Sequence, residues 1–253
     1  MRDYGTIKVS VIIYVKDTVD YIEQCISGVR NQTLQEMEIL VIDGGSTDGT
    51  KEIIGRMKGQ DVRIRTFDAA ASVGAQLNIG LQEAKGEYIG ICEADDYIPP
   101  DMYEKQYRIA KEHNLDVSRA GYYQVCNVGG REYRFEHKAC WNQEKTDQVV
   151  GNDGFFFLQE TVNGFWSGLY KRKFLMDHNI RMNETKGAAH QDITFSFLTQ
   201  MYAERIWFMK EAFYCYRIDN SEASAYSLRG IELHIGEYEA LKEQLVLRGL
   251  WEK

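Results

Sequence analysis

The sequence predicts an α/β fold, a mostly parallel sheet flanked by helices, with an elaborated second half and a C-terminal amphipathic helix. Three observations point there. Ile7–Val15 and Glu38–Asp43 are nearly unbroken β-branched and aliphatic runs, as expected of strands buried on both faces. Helical stripes alternate with such strands through the first hundred residues, and that alternation is the mark of a parallel sheet. After about residue 115 the rhythm changes, yet no repeat, linker or low-complexity stretch marks a break.

The elements follow in order. A helix carries Ile22, Cys25, Ile26 and Val29 on one stripe, opened by Thr18 or Asp20 with Glu23 as capping partner. GGSTDG is a tight turn after the second strand, and Thr50–Met57 a short helix. Val62–Phe67 alternates like a half-buried strand, Ser72–Ala84 reads as a helix and Tyr88–Cys92 as a strand. The only prolines, Pro99 and Pro100, precede a helix over Asp101–His113. Beyond it come a strand (Val117–Val125), a hairpin-like segment (Gly129–Trp141), helices over Gly151–Gln159 and Asp192–Ala203, and a strand over Glu211–Ile218. In the tail, Ile231, Ile235, Tyr238, Leu241 and Leu245 recur at helical spacing, so this stripe is expected to pack on the body or on a membrane surface, the acidic flank of Glu232, Glu239 and Glu243 favouring the body. The division is 1–115, 116–227 and 228–253, within one continuous domain.

Composition narrows the function classes. The chain has 253 residues, 44% of them hydrophobic, enough for a sizeable core. Lys+Arg 30 against Asp+Glu 38 gives a net charge of −8, which disfavours a nucleic-acid partner. The longest apolar runs, such as Val9–Val15, fall short of the roughly 20 residues that span a bilayer. The start, MRDYGTIKVS, has no apolar signal region. Cys25, Cys92, Cys126, Cys140 and Cys215 are scattered without a CxxC pair, so reduced thiols and a cytoplasmic location are expected.

Two acidic strand ends carry the chemistry. Asp43 ends the second strand, and Glu93, Asp95 and Asp96 end the fourth in ICEADDYIPPD. In a parallel sheet both lie at the carboxyl edge, where ligands bind. Carboxylates there can accept from a ribose or base, or hold Mg²⁺ or Mn²⁺, cations that prefer oxygen ligands. The plain alternative for the ADD triplet alone is a solvated turn. GGSTDGTK fails the phosphate-loop pattern because Lys51 follows Thr50, and no GxGxxG follows the first strand.

The ordered set is more specific than any one motif. KVSVIIYVKD, CISGVRNQTL, EILVIDGGSTDGT and LNIGLQEAKGEYIGICEADDYIPPD together resemble the nucleotide-binding half of a family 2 glycosyltransferase of the GT-A fold. The likeness is strong over about residues 7–105. It continues more weakly through GFWSGLYKRKFL, AAHQDITFSF and FYCYRIDNSEAS.

The resemblance implies an inverting, metal-assisted transfer of a sugar from a nucleotide-diphosphate donor to an acceptor hydroxyl. It implies a UDP-sugar as favoured donor, a glycan or lipid-linked acceptor, and a place in surface polysaccharide or glycolipid assembly. Residues 1–115 would bind the nucleotide sugar, and 116–227 the acceptor. Asp43 would contact the base, and Asp95 the metal, Mn²⁺ or Mg²⁺. Glu93 stands where the family often has the first Asp of its DxD element, and Asp96 is a ribose-side carboxylate or second choice for the metal. Asp192 matches the general base.

This sequence departs from the family at several points. The usual Pro-x-Tyr-Asn is Tyr14-Val15-Lys16-Asp17, leaving Tyr14 and Asp17 as nucleotide candidates. Leu77 replaces an Arg beside Asn78, and Gln191 replaces the Glu before Asp192, a change expected to matter little. These departures also support an alternative, a non-catalytic nucleotide-sugar-binding protein with a decayed site. His190, Trp166 and Arg217 are candidate acceptor or phosphate contacts, against ordinary hydrogen bonding, core packing and ion pairing. For Asp192 the structural alternative is a helix N-cap. Lys171, Arg172 and Lys173 form a solvated basic run that would also suit peripheral contact with the inner face of a membrane.

Overall fold

The structure, a computed structural model, describes residues 6–69, 71–151, 164–185, 190–220 and 228–251, with side chains of the last segment described from residue 233. A single mixed sheet has the strand order β3-β2-β1-β4-β8-β5-β9-β7. Its front is parallel: β1 (Val9–Val15) lies between β2 (Met37–Asp43) and β4 (Tyr88–Glu93), and β3 (Ile64–Asp68) flanks β2. The helices α1 (Ile22–Arg30), α2 (Thr50–Gln60), α3 (Val73–Glu83) and α4 (Met102–Glu112) cross between them. Every residue of β2 is buried and only Tyr14 of β1 is not, so the aliphatic runs do what their composition requires.

The back half extends the same sheet. β8 (Gly168–Lys171) pairs antiparallel with both β4 and β5 (Val117–Val128), while β5 runs parallel to β9 (Ile206–Arg217) and β7 (Val149–Val150) closes the edge. Among the described residues β6 (Arg131–His137) pairs with β5 alone, and all its residues but His137 are exposed. α5 (Arg172–Asp177), α6 (Asp192–Tyr202) and α7 (Leu228–Leu247) complete the described elements. The predicted helix over Gly151–Gln159 lies, after its first residue, outside the described residues. Among the described residues, no helix is long and apolar enough to cross a membrane.

Three local findings position the site. No side chain caps α1: the Thr18 carbonyl instead accepts from Tyr21 N and Ile22 N, both at 3.0 Å, which replaces the predicted capping box. Gly90 lets α4 press onto β4, since a Cβ there would sit 2.5 Å from the Tyr103 ring. The expected inward stripe of α7 is only partly inward. Leu241 is buried, but Ile235 and Tyr238 are 58% and 47% exposed, while Glu237 is 2% exposed. The helix has turned toward a polar segment, residues 181–185, whose donors Glu237 accepts.

Candidate active site

Register brings the carboxylates together. Tyr14 pairs with Glu93 across β1 and β4, and Val15 pairs with Asp43 across β1 and β2. Both acidic strand ends therefore stand side by side at the carboxyl edge, as parallel topology requires.

Asp43 is buried and divides its work between two oxygens. Its Oδ1 accepts from Gly45 N at 3.0 Å and from Ser46 N and Oγ at 2.8 Å, closing the GGST turn. Among the described residues its Oδ2 makes no hydrogen bond, and Lys51 Nζ stands 3.6 Å away as its ion-pair partner. Asp17, left-handed at φ 50°, braces this turn, accepting from Thr47 N at 2.7 Å while its own N–H donates to Ser46 Oγ at 2.9 Å. Asp48 then orders the start of α2 through Thr50 N (3.0 Å) and Oγ1 (2.6 Å). That bracing by Asp48 was not anticipated from the sequence, although an Asp two residues before a helical Thr is a usable turn signal.

At the β4 end, one carboxylate oxygen from each of Glu93, Asp95 and Asp96 lies within 4.8 Å of the others. The Tyr14 hydroxyl donates to Glu93 Oε1, and the Tyr214 hydroxyl accepts from Glu93 N at 2.9 Å. Burial, then the Asp95 charge, push the Glu93 carboxyl up to about 8, with Asp192 adding to the rise. Burial and the charges of Glu93 and Asp95 raise Asp96 as well. Asp192 thus acts electrostatically on the same cluster. It is the first residue of α6, and the N-cap position belongs to Gln191.

Asp96 Oδ1 accepts from Arg217 N at 2.7 Å, whereas its buried Oδ2 has no hydrogen-bond partner among the described residues. Three converging carboxylates with one orphaned buried oxygen fit a divalent cation, which prefers such oxygens and offsets their mutual repulsion. Asp95 Oδ2 accepts from Asn220 Nδ2 at 2.9 Å, a contact not anticipated from the sequence although Asn220 lies in the YRIDN segment.

The remaining candidates take structural positions. Arg217 donates from Nε to the Asp95 carbonyl (2.9 Å) and from Nη2 to Gln24 Oε1 (2.8 Å), over the rings of Tyr21 and Tyr97. Its guanidinium braces the acidic turn. Trp166 is buried, stacked on Tyr214 at 4.2 Å and Tyr216 at 5.3 Å, which favours core packing over a sugar-stacking wall. His190, at φ 66°, meets His234 edge-on at 4.4 Å; burial and then His234 lower its pKa. Gln191 is buried and hydrogen-bonded at both ends of its amide, to Gly74 N and to the Thr185 carbonyl. An ionised carboxylate at this position could accept from Gly74 N but could not donate to the Thr185 carbonyl.

The acidic strand ends stand together at the carboxyl edge of a mostly parallel sheet flanked by helices, a GT-A architecture. Comparison with known proteins agrees. Residues 10–178 match the family described as "Glycosyl transferase family 2", and the chain belongs to that family.

Among curated relatives, the uncharacterised glycosyltransferase YibD of Escherichia coli K12 is 28% identical, covering 89% of this chain and 66% of its own length. A cholesterol galactosyltransferase of Borreliella burgdorferi is 28% identical over 82% of this chain and 59% of its own length. The chain therefore spans about three fifths to two thirds of these relatives. Among solved structures, S. aureus TarS 1–349 in complex with UDP-GlcNAc has TM-score 0.74 at 20% identity, covering 94% of this chain and 66% of that one. The mannosyltransferase PcManGT of Pyrobaculum calidifontis, in complex with GDP-Man and Mn²⁺, has TM-score 0.65 at 15% identity, covering 94% and 64%. At these identities the structural likeness is one of fold.

Proposed function

We propose that the protein transfers a sugar from a nucleotide-diphosphate donor to an acceptor hydroxyl, inverting the anomeric centre, with Asp192 as general base. The observation that carries this reading is the side-by-side placement of Asp43 and the Glu93–Asp95–Asp96 cluster at one edge of the sheet, with the Asp192 charge adding to the rise of the Glu93 carboxyl.

The base contact follows from Asp43. With Oδ1 already accepting three hydrogen bonds, one acceptor oxygen remains to receive a single N–H. The N3–H of uracil suits it, and the ring nitrogen of cytosine, itself an acceptor, does not. Guanine, which offers two adjacent donors, would find one of the two oxygens taken. This favours a UDP-sugar.

Asp95, with Asp96 and Glu93, would hold Mn²⁺ or Mg²⁺, and a bound divalent cation supplies neutralising charge for the leaving diphosphate. Tyr14 keeps its proton, because burial and then Glu93 raise its pKa, so its hydroxyl holds Glu93 in place as a donor. Asp192 accepts the acceptor's hydroxyl proton as the oxygen attacks the anomeric carbon. Attack from the face opposite the leaving group inverts that carbon. The acceptor is a glycan or a lipid-linked sugar in polysaccharide or glycolipid assembly, with the protein working in the cytoplasm or peripherally at the inner membrane face.

A thermal-shift series with UDP-, GDP-, TDP- and CDP-sugars, with and without Mn²⁺, tests the reading. A ligand that binds the folded state alone raises stability with its concentration over Kd. UDP- and TDP-sugars should raise the melting temperature, more so with Mn²⁺. Absence of a shift with every sugar would sink the donor assignment. Hydrolysis of the bound donor, with water in place of acceptor, separates an enzyme from a decayed binding protein.

A further inference from the structure

Gln191 sits immediately before Asp192 and is 3% exposed. Its Oε1 accepts from Gly74 N in the first turn of α3, and its Nε2 donates to the Thr185 carbonyl and to Thr185 Oγ1, the latter at 3.1 Å. One side-chain amide thus ties the start of α6 to α3 and to the strap of residues 181–185.

The strap is anchored from two further directions. Asn78 of α3 accepts from Met182 N and donates to the Met182 carbonyl, both at 3.0 Å. Asn183 Nδ2 donates to Thr194 Oγ1 of α6 at 2.7 Å and to Glu237 Oε2 of α7 at 2.8 Å, and Thr185 Oγ1 donates to Glu237 Oε1. The packing leaves no slack. A Cβ on Gly74 would lie 1.7 Å from the Asn183 carbonyl oxygen, so only glycine lets α3 approach the strap.

We propose that Gln191 is a positioning residue for Asp192, a neutral clamp whose amide fixes where the base stands relative to the donor site. The inference rests on the reading of Asp192 as general base. Its physical basis is the hydrogen-bond pattern. The clamp needs one acceptor toward Gly74 N–H and one donor toward the Thr185 carbonyl, both away from water. An amide offers both at every pH. A carboxylate offers two acceptors and would set charge against a carbonyl oxygen, leaving buried groups unpaired. A protonated carboxyl group restores the amide's pattern.

Substituting glutamate at this position therefore makes the clamp titratable. Among the described residues, the charged and titratable groups around it are Asp192 and His190 along the chain, His234 against His190, Glu237 beyond Thr185, and Glu184 of the strap, which accepts from Asn78 Nδ2 at 2.8 Å. The acidic members of that set, together with burial, favour its protonated form.

The test is Gln191→Glu, read as hydrolysis of UDP-GlcNAc with Mn²⁺, or of whichever nucleotide sugar gives the largest thermal shift. Rates are taken at saturating donor and divided by the wild-type rate at each pH. The ratio should approach one at low pH and fall about 10- to 100-fold as the introduced carboxyl ionises, the loss expected of a base displaced by an ångström. The donor Kd should stay unchanged throughout. A ratio flat near one overturns the clamp, and so does a donor Kd that weakens in step with the rate.

Should the variant unfold at high pH, Glu237→Gln gives a second measurement. It exchanges one acceptor of the strap's anchor for a donor, and should lower the rate at unchanged donor Kd. A wild-type rate there overturns the proposal. Loss of rate in Asp192→Asn with a flat Gln191→Glu ratio removes the clamp alone. An unchanged rate in Asp192→Asn removes the base reading itself, and the clamp with it.

Discussion

The front sheet and the C-terminal helix differ in what they bury. In β1, β2 and β4 the interior is mainly aliphatic, Glu38 being buried with its carboxylate accepting from Ser10 and Arg65, and the site's carboxylates emerge where the strands end. In α7 a glutamate is buried while Ile235 and Tyr238 face solvent. The difference lies in what each element meets. A strand between two other strands has apolar layers above and below, so its composition dictates its environment. A helix docking on a finished surface meets whatever that surface offers, and here it offers the Asn183 and Thr185 donors. Helical periodicity finds the inward face only when the docking surface is itself apolar.

The proposed function divides along the same line, with donor binding assigned to the front strands and proton transfer to the back half. The largest test of that split is Asp192→Asn. It keeps the shape but cannot accept a proton near neutrality, so turnover should fall by roughly 10²–10⁴. Donor affinity, measured by titration, should stay near wild type. Parallel loss of both would dissolve the distinction.

Leu241→Ala probes the docking of α7, and should cost about 2–5 kcal/mol in chemical denaturation. Ile235→Ala, on the same helix, should change stability by less than about 0.5 kcal/mol. Equal costs would mean that α7 packs as its apolar stripe suggests.

Asp43→Asn sharpens the donor side. The remaining oxygen can still accept from Gly45 and Ser46, so the turn survives, while the position beside Lys51 Nζ becomes an amide donor. UDP-sugar KM should rise by about 5- to 100-fold, the worth of one well-placed hydrogen bond to a charged group. CDP-sugar binding should improve relative to UDP-sugar. An unchanged preference would remove Asp43 from base recognition.

The smallest effect is a pH dependence of stability. His190 has a folded-state pKa below its ordinary value near 6.5. Its contribution is therefore complete above that value and is lost as pH falls through the folded pKa. His190→Gln should flatten the melting temperature between pH 7 and pH 5, as followed by circular dichroism. A steeper fall in the variant would reverse the sign.

Much of the front half was legible because register follows from topology. Once β1, β2 and β4 are parallel neighbours, Asp43 and Glu93 have little choice but to share an edge. The acidic cluster was readable for the same reason. Gln191 and Glu237 were not, since their partners lie far along the chain at Gly74, Asn183 and Thr185, and no local pattern encodes such contacts. Trp166 shows a related limit. Its type suits both a sugar platform and a core, and only the surrounding Tyr122, Tyr214 and Tyr216 decide for the core.

The exposed hairpin strand β6 bears on the behaviour of the protein at high concentration. A strand with one paired edge offers its other edge as a template on which a second chain can continue the sheet. Here that strand reads Arg131-Glu132-Tyr133-Arg134-Phe135-Glu136, and all of these residues are exposed. Arg134 pairs with Glu132, whose carboxylate also accepts from the Tyr97 hydroxyl at 2.7 Å. A docking strand would have to strip water from both signs of charge and disturb that pairing. The aromatic residues on this edge are thus flanked by their own gatekeepers, and sheet growth from one molecule to the next is discouraged.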